Sequence, residues 1–220
     1  MTKEKLDLPT QLDVTEFISK EAHDLKSPFN RILGFTKIVL KGMDGPLTDM
    51  QKEDLTIAYE NSSQAMTLMS NLVDMARLSR GEKVITLSAC ELKALLAQVV
   101  VYWKQNKAVK DVELELVTPE QEVKSQADEV LLRQGILNWV LYVVEYTQPP
   151  ARVTITLEER ENEVLFTIQS QGKKKGTMSE IDMTMSAYIG QAIIKLHKGS
   201  IFLAEGDEEG AQVQFSLPRK

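Results

Sequence analysis

The sequence predicts an α+β protein in two parts, and three observations carry that expectation. Near the N-terminus, apolar and small residues recur at alternating steps of four and three over two long stretches; the pattern breaks after Arg80-Gly81; and beyond it, helical stretches alternate with runs of period two. In the first stretch Ile18, Ala22, Leu25, Phe29, Ile32, Thr36 and Val39 keep the spacing of a helix packed along a coiled-coil-like seam. Gly45-Pro46 punctuates the chain, and Thr48 and Gln51 are spaced as a capping box. Leu55, Ala58, Ser62, Ala65, Met69, Leu72 and Ala76 then repeat the same steps, so the two stretches read as a helical hairpin. Such a hairpin cannot bury both seams by itself. A second copy would bury them in a four-helix bundle, which makes a homodimer the expectation; the alternative is that the seams pack against the rest of the chain.

The boundary is expected near residues 80–84, dividing the chain into 1–81 and 82–220. After it, Val84 to Leu87 is a short strand candidate, Glu91 to Gln105 a helix, and Val112, Leu114 and Leu116 alternate as a strand. Asp128 to Tyr146 is a helix apolar on most faces, as for one buried against a sheet. Val153, Ile155, Leu157 and Val164, Phe166, Ile168 mark two strands joined by the polar turn Glu159 to Glu163. A helix over Met185 to Leu196 precedes a last strand pair carrying Ile201, Leu203 and Val213, Phe215, Leu217. The expected layout is a sandwich with helices over one face of a sheet.

Composition narrows the function. In 220 residues, 43% apolar content suits a folded core, and a formal charge of -6 argues against nucleic acid as the main partner, because phosphate binding needs a basic face. No run approaches a membrane span and Met1 to Lys5 lacks a signal peptide's apolar segment, so a cytoplasmic protein is expected. The one cysteine, Cys90, excludes an internal disulfide, and with two histidines it leaves no ordinary zinc site; Cys90 reads as a small buried side chain.

The chemistry concentrates in His23-Asp24-Leu25-Lys26-Ser27-Pro28-Phe29-Asn30. An imidazole nitrogen accepts a phosphoryl group, and an adjacent carboxylate can orient the ring or take its proton. Pro28 has no amide hydrogen, so in a helix the carbonyl of Asp24 loses its partner beside the histidine.

Together these residues resemble the core of bacterial two-component histidine kinases. That family's pattern of His, acid, apolar, Arg or Lys, Thr or Ser, Pro and apolar is met at every position from His23 to Phe29. Gly45-Pro46 and Asp74-Met75-Ala76-Arg77-Leu78-Ser79 extend the likeness over the hairpin. The resemblance implies that His23 is the phosphoacceptor, Asp24 its acid/base neighbour, and Ser27 a hydroxyl one turn on. It implies that Lys26, Asn30 and Arg31 meet a docking receiver domain. It further implies that the second part is a Bergerat-type α/β sandwich.

That second part departs from the family where nucleotide is held. Asn138 to Thr147 aligns with Asn-Leu-Leu-x-Asn-Ala-x-Lys-Phe-Thr; Asn138, Tyr146 and Thr147 match, the magnesium-binding Asn is Tyr142, and the Lys is Glu145. The family's Asp-x-Gly-x-Gly reads Ser170-Gln171-Gly172-Lys173-Lys174, and its later Gly-x-Gly reads Thr184-Met185-Ser186. The stretch from Lys175 to Met185 is short and lacks the family's aromatic pair. Leu196-His197-Lys198-Gly199 follows Leu-His-Gly-Gly, which makes His197 a structural residue by resemblance, and Lys173 to Lys175 read as a solvated charge run.

A retained His23 motif beside lost nucleotide motifs resembles bacterial histidine phosphotransferases of phosphorelays. In that reading His23 passes phosphoryl groups between receiver aspartates through a phosphohistidine, with no cofactor or metal of its own and with Mg²⁺ supplied by the receiver. Response-regulator receivers, a second copy and a histidine kinase are the partners it names. Two others stay open: a non-catalytic pseudokinase module, and an atypical autophosphorylating kinase. Phosphatase action on a receiver could accompany any transfer.

Overall fold

The structure is a computed structural model that describes residues 13–43, 45–105, 111–172, 184–202 and 210–219. The chain divides into two units, Met1–Glu82 and Lys83–Lys220. Leu203 and Lys173 to Lys175, singled out in the sequence, lie outside the described residues, as does most of the stretch from Lys175 to Met185.

In the first unit α1 spans Val14–Leu40 and α2 Asp49–Ser79. Asp13 caps α1 by accepting from the N–H groups of Thr15 and Glu16, and α1 continues through Pro28. Thr48 and Gln51 form the capping box of α2 reciprocally. Between the helices Ala22, Met69 and Val73 are buried, with Phe29 and Met66 packed around them. Alternating steps of four and three lay the α1 residues on two flanks of the helix. Ala22 and Phe29 face α2, whereas Leu25 and Ile32 on the other flank are 48% and 46% exposed. Phe35 and Ile38 are exposed as well, so α1 keeps an apolar flank that α2 does not cover.

The second unit runs β1 (Ser88–Glu91), α3 (Leu92–Gln105), β2 (Val112–Val117), β3 (Lys124–Ala127), α4 (Glu129–Glu145), β4 (Ala151–Glu159), β5 (Glu163–Gln171), α5 (Met185–Leu196), β6 (Ser200–Phe202) and β7 (Gln212–Pro218). A five-stranded mixed sheet has the order β2-β4-β5-β7-β6, with β2 parallel to β4 and the other pairs antiparallel. β1 and β3 make a separate antiparallel pair. Val153, Ile155, Val164, Phe166, Ile168, Val213 and Phe215 meet Leu132, Ile136, Trp139 and Val143 of α4 in one core. Phe166 and Phe215 stack at 4.7 Å between ring centroids. α4 is apolar nearly all round because it is covered twice, by the sheet and by α5. Gly135 and Gly190 allow that second contact: a Cβ on Gly190 would come within 2.8 Å of the Trp139 ring.

One expected element is absent. Val84 to Leu87 is not a strand; the strand here begins at Ser88, opposite Ala127. The residue after Ala127 is Asp128, the N-cap of α4, so the partner chain leaves the ladder before it could pair with Leu87. The Thr86 N–H donates instead to the Asp128 carboxylate at 3.1 Å. β3 was not foreseen, since Lys-Ser-Gln-Ala shows no apolar alternation; its inward residues, Ser125 and Ala127, are small. Among the described residues no helix is long and apolar enough to cross a membrane.

Candidate functional site

Ala22 faces α2 and is buried, and successive residues of a helix turn by about 100°. Its neighbour His23 therefore emerges at the rim of the hairpin, where 84% of its side chain is exposed. Nδ1 of His23 lies 3.4 Å from Oδ1 of Asp24, also largely exposed. A carboxylate at Nδ1 favours the tautomer with the proton there, which leaves the lone pair on Nε2, the nitrogen directed away from Asp24.

Ser27, Asn30 and Arg31 follow at four, seven and eight residues, on the same face of α1, and all three are exposed. Lys26 is half-buried and shares with His23 the lining of a cavity of about 480 Å³ between α1 and α2. Lys20, Asp74, Arg77 and Arg80 line it too. Arg80 is engaged by Glu82 at 2.8 Å and by Asp13 at 4.0 Å. Sequence reasoning missed Lys20 and Arg77. Lys20 was within reach of it, being three residues before His23; Arg77 comes from the facing helix, and only the hairpin brings it near.

In the second unit the positions aligned with the nucleotide motifs are bound into the fold. Tyr142 is 1% exposed, edge-on to Trp139 with ring centroids 5.6 Å apart and tilted against Tyr146 at 4.9 Å. Asn138 is buried and donates Nδ2–H to the carbonyl of Gln134 at 2.9 Å. Ser170 Oγ accepts from the Ala211 N–H at 2.9 Å and shares a hydroxyl hydrogen bond with Thr147 at 2.7 Å. Thr184 caps α5 through the Ala187 N–H, and Ser186 Oγ donates to Glu145.

His197 is buried with both ring nitrogens engaged. The Asp128 N–H donates to Nε2 at 3.0 Å, which makes Nε2 the unprotonated nitrogen, and Nδ1–H donates to the Ile193 carbonyl at 2.8 Å. The ring is a bridge between the start of α4 and the end of α5. Cys90 is buried, and burial, then Glu129 and Glu91, push its thiol up to about 11, away from thiolate chemistry. Among the described residues no group of three or more His, Cys, Asp or Glu could hold a metal ion.

Comparison with known proteins bears on both units. Residues 13–81 match the His Kinase A (phospho-acceptor) domain model. The chain is 25% identical over 140 residues to the histidine protein kinase DivJ of Caulobacter vibrioides, covering 64% of this chain and 24% of that protein. It spans about a quarter of the length of the curated relatives it first matches. Among solved structures it resembles full-length ShkA in complex with AMPPNP, with a TM-score of 0.69 at 20% identity over 93% of this chain and 46% of that one. It also resembles the histidine kinase ThkA in complex with the response regulator protein TrrA, with a TM-score of 0.59 at 18% identity over 93% and 61%. At these identities the solved structures establish the fold. The matches support a two-component histidine-kinase core: a His Kinase A phospho-acceptor hairpin followed by a unit with the fold of the kinase catalytic domain.

Proposed function

We propose that this chain is a histidine phosphotransferase of a phosphorelay and that His23 is its phosphoacceptor. The observation that carries the reading is the exposed His23 ring with Asp24 at Nδ1, which leaves Nε2 open to a partner protein. In the forward step the Nε2 lone pair attacks the phosphorus of a receiver's aspartyl phosphate. The bond from phosphorus to the carboxylate oxygen breaks, the carboxylate leaves with that electron pair, and a phosphoramidate remains on His23. The second step reverses this onto the aspartate of another receiver. Asp24 holds Nδ1–H and offsets the charge on the ring. Ser27 stands one turn away, and Lys26, Asn30 and Arg31 extend the contact along α1. Receivers as partners draw support from the solved complex of ThkA with TrrA; in this reading the receiver would supply the magnesium.

The uncovered apolar flank of α1, with Leu25, Ile32 and Phe35, supports a homodimer in which a second hairpin completes a four-helix bundle.

No step is routed through ATP. Magnesium takes compact oxygen ligands in near-octahedral geometry, and Tyr142 offers a bulky phenol packed between Trp139 and Tyr146. Ser170 spends its hydroxyl on Thr147 and Ala211, and it lacks the charge that an adenine amino group would meet in the family. These residues do not fit Mg²⁺-ATP.

A second reading, an ATP-fed kinase, is favoured by the kinase names of the relatives. One experiment separates the two. The protein is mixed with a receiver carrying labelled acyl phosphate and, separately, with labelled ATP and Mg²⁺. Acid-labile label from the receiver alone, lost in His23→Ala, is the expected result; label from ATP would replace this reading with the kinase.

A further inference from the structure

The cavity beside His23 is basic in a chain that is acidic. The whole sequence has a formal charge of -6, yet Lys20, Lys26, Arg77 and Arg80 line this space against Glu16, Asp74 and Glu82. Arg80 is held by carboxylates, Glu82 at 2.8 Å and Asp13 at 4.0 Å. Lys20 and Arg77 stand differently. Both are exposed, one on each helix, and both border the same space as the imidazole. Side chains of a helix lean toward its N-terminus, so the His23 ring reaches back over the turn of α1 that carries Ser19 and Lys20. Lys20, three residues before His23, is its neighbour on that face. Ser19 and Ser70 add one hydroxyl from each helix. Cations and hydroxyls converging from two helices are the groups that hold a tetrahedral oxyanion: the ammonium is a compact point charge, and the guanidinium a planar fork for two oxygens.

We propose that Lys20 and Arg77 form a seat for the phosphoryl group of His23, holding its oxygens over the cavity while Nε2 carries the phosphorus. This seat presupposes the reading of His23 as phosphoacceptor and adds two phosphoryl-binding residues to it. The ring then has two sets of partners. Asp24 meets the Nδ1 side, and Lys20 and Arg77 meet the negative charge that arrives on Nε2. Because the seat belongs to this chain and not to a receiver, it acts on any small phosphoryl donor that reaches the cavity.

Labelled phosphoramidate, mixed with the full chain and no receiver, tests the seat directly. In its zwitterionic form the donor already carries three hydrogens on nitrogen, so when Nε2 attacks phosphorus the P–N bond breaks and ammonia leaves with that electron pair. Label should appear on His23 and vanish in His23→Ala. Lys20→Gln and Arg77→Gln should each slow the labelling about tenfold, the effect of losing one charge-assisted hydrogen bond. Lys20→Arg keeps the charge and should keep the wild-type rate. The differences should shrink at high salt, which screens a charged seat and leaves a merely structural defect in place. Wild-type rates in both Gln variants overturn the proposal, as do differences that persist at high salt, a Lys20→Arg rate no better than that of Lys20→Gln, or no label from phosphoramidate in wild type. Transfer from a phosphorylated receiver is measured beside it. Label from phosphoramidate with none from the receiver would count against the phosphotransferase reading alone.

Discussion

The hydroxyls of Thr147 and Ser170 lie 2.7 Å apart and join the segment after α4 to β5. Both are buried, Thr147 also reaches the Val143 carbonyl, and Ser170 takes the Ala211 N–H, so the pair ties three segments together. Ser170→Ala leaves the Ala211 N–H without its side-chain acceptor and should cost about 1–3 kcal/mol. Ser170→Ala and Thr147→Val combined should cost less than the sum of the two, because they remove the same bond. Urea denaturation of the four species measures it.

Gly190 lies where α5 crosses the Trp139 ring. An added Cβ would sit 2.8 Å from ring atoms that cannot retreat, because Trp139 is also edge-on to Tyr142. Gly190→Ala should destabilise the second unit by about 1–3 kcal/mol, despite the better helix propensity of alanine. Loss of near-ultraviolet circular dichroism at lower denaturant would show it.

In the proposed transfer Asp24 acts through Nδ1 of His23 and not on the phosphorus. Asp24→Asn should leave the final amount of label on His23 nearly unchanged and slow its arrival by about 10²- to 10⁴-fold. Rapid-quench transfer from a phosphorylated receiver follows the rate; an unchanged rate would remove Asp24 from the mechanism.

The two flanks of α1 should respond differently to charge. Ile32→Asp places a carboxylate on the exposed flank and should shift the proposed dimer to monomer in sedimentation while the hairpin stays helical. Ala22→Asp buries a carboxylate against Met69 and Val73 and should unfold the hairpin itself.

Asp128 accepts from Leu131 through Oδ1 and from Thr86 through Oδ2. Burial works against its charge, but these N–H donors outweigh it and hold its pKa below the ordinary 3.8. A lowered folded pKa contributes stability that is present above the unfolded value and lost as pH falls through the folded one. An amide has one acceptor oxygen, so Asp128→Asn loses one of the two bonds and should cost about 0.5–1.5 kcal/mol at pH 7. The gap between variant and wild type should begin to narrow below 3.8 and close as pH falls through the lowered folded value, as denaturation over a descending pH series from pH 7 would reveal.

Much of this was legible in the order of residues. Period and punctuation located both long helices, the capping box at Thr48, and α5 to its end residues, because those features depend on neighbours within one turn. The His23 motif is local in the same sense. The strand expected at Val84 failed because pairing is decided by the partner, and the partner had already turned into α4 at Asp128. β3 was invisible for the matching reason: two small inward residues carry no hydrophobic period, and only β1 beside them makes a strand.

By itself, then, the sequence determined that a helical hairpin carries an imidazole beside a carboxylate, and that the positions aligned with the nucleotide motifs of the family it resembles hold other residues. Tertiary structure alone decided which seam residues are interior: Ala22 is covered and Leu25 is not. It brought Arg77 across from α2 to the cavity of His23, and it carried Glu145 from the end of one helix to the start of another. The physical reason is range. Periodicity and capping act over a few bonds of the chain, whereas burial and the field at a helix end depend on which distant segment happens to lie alongside.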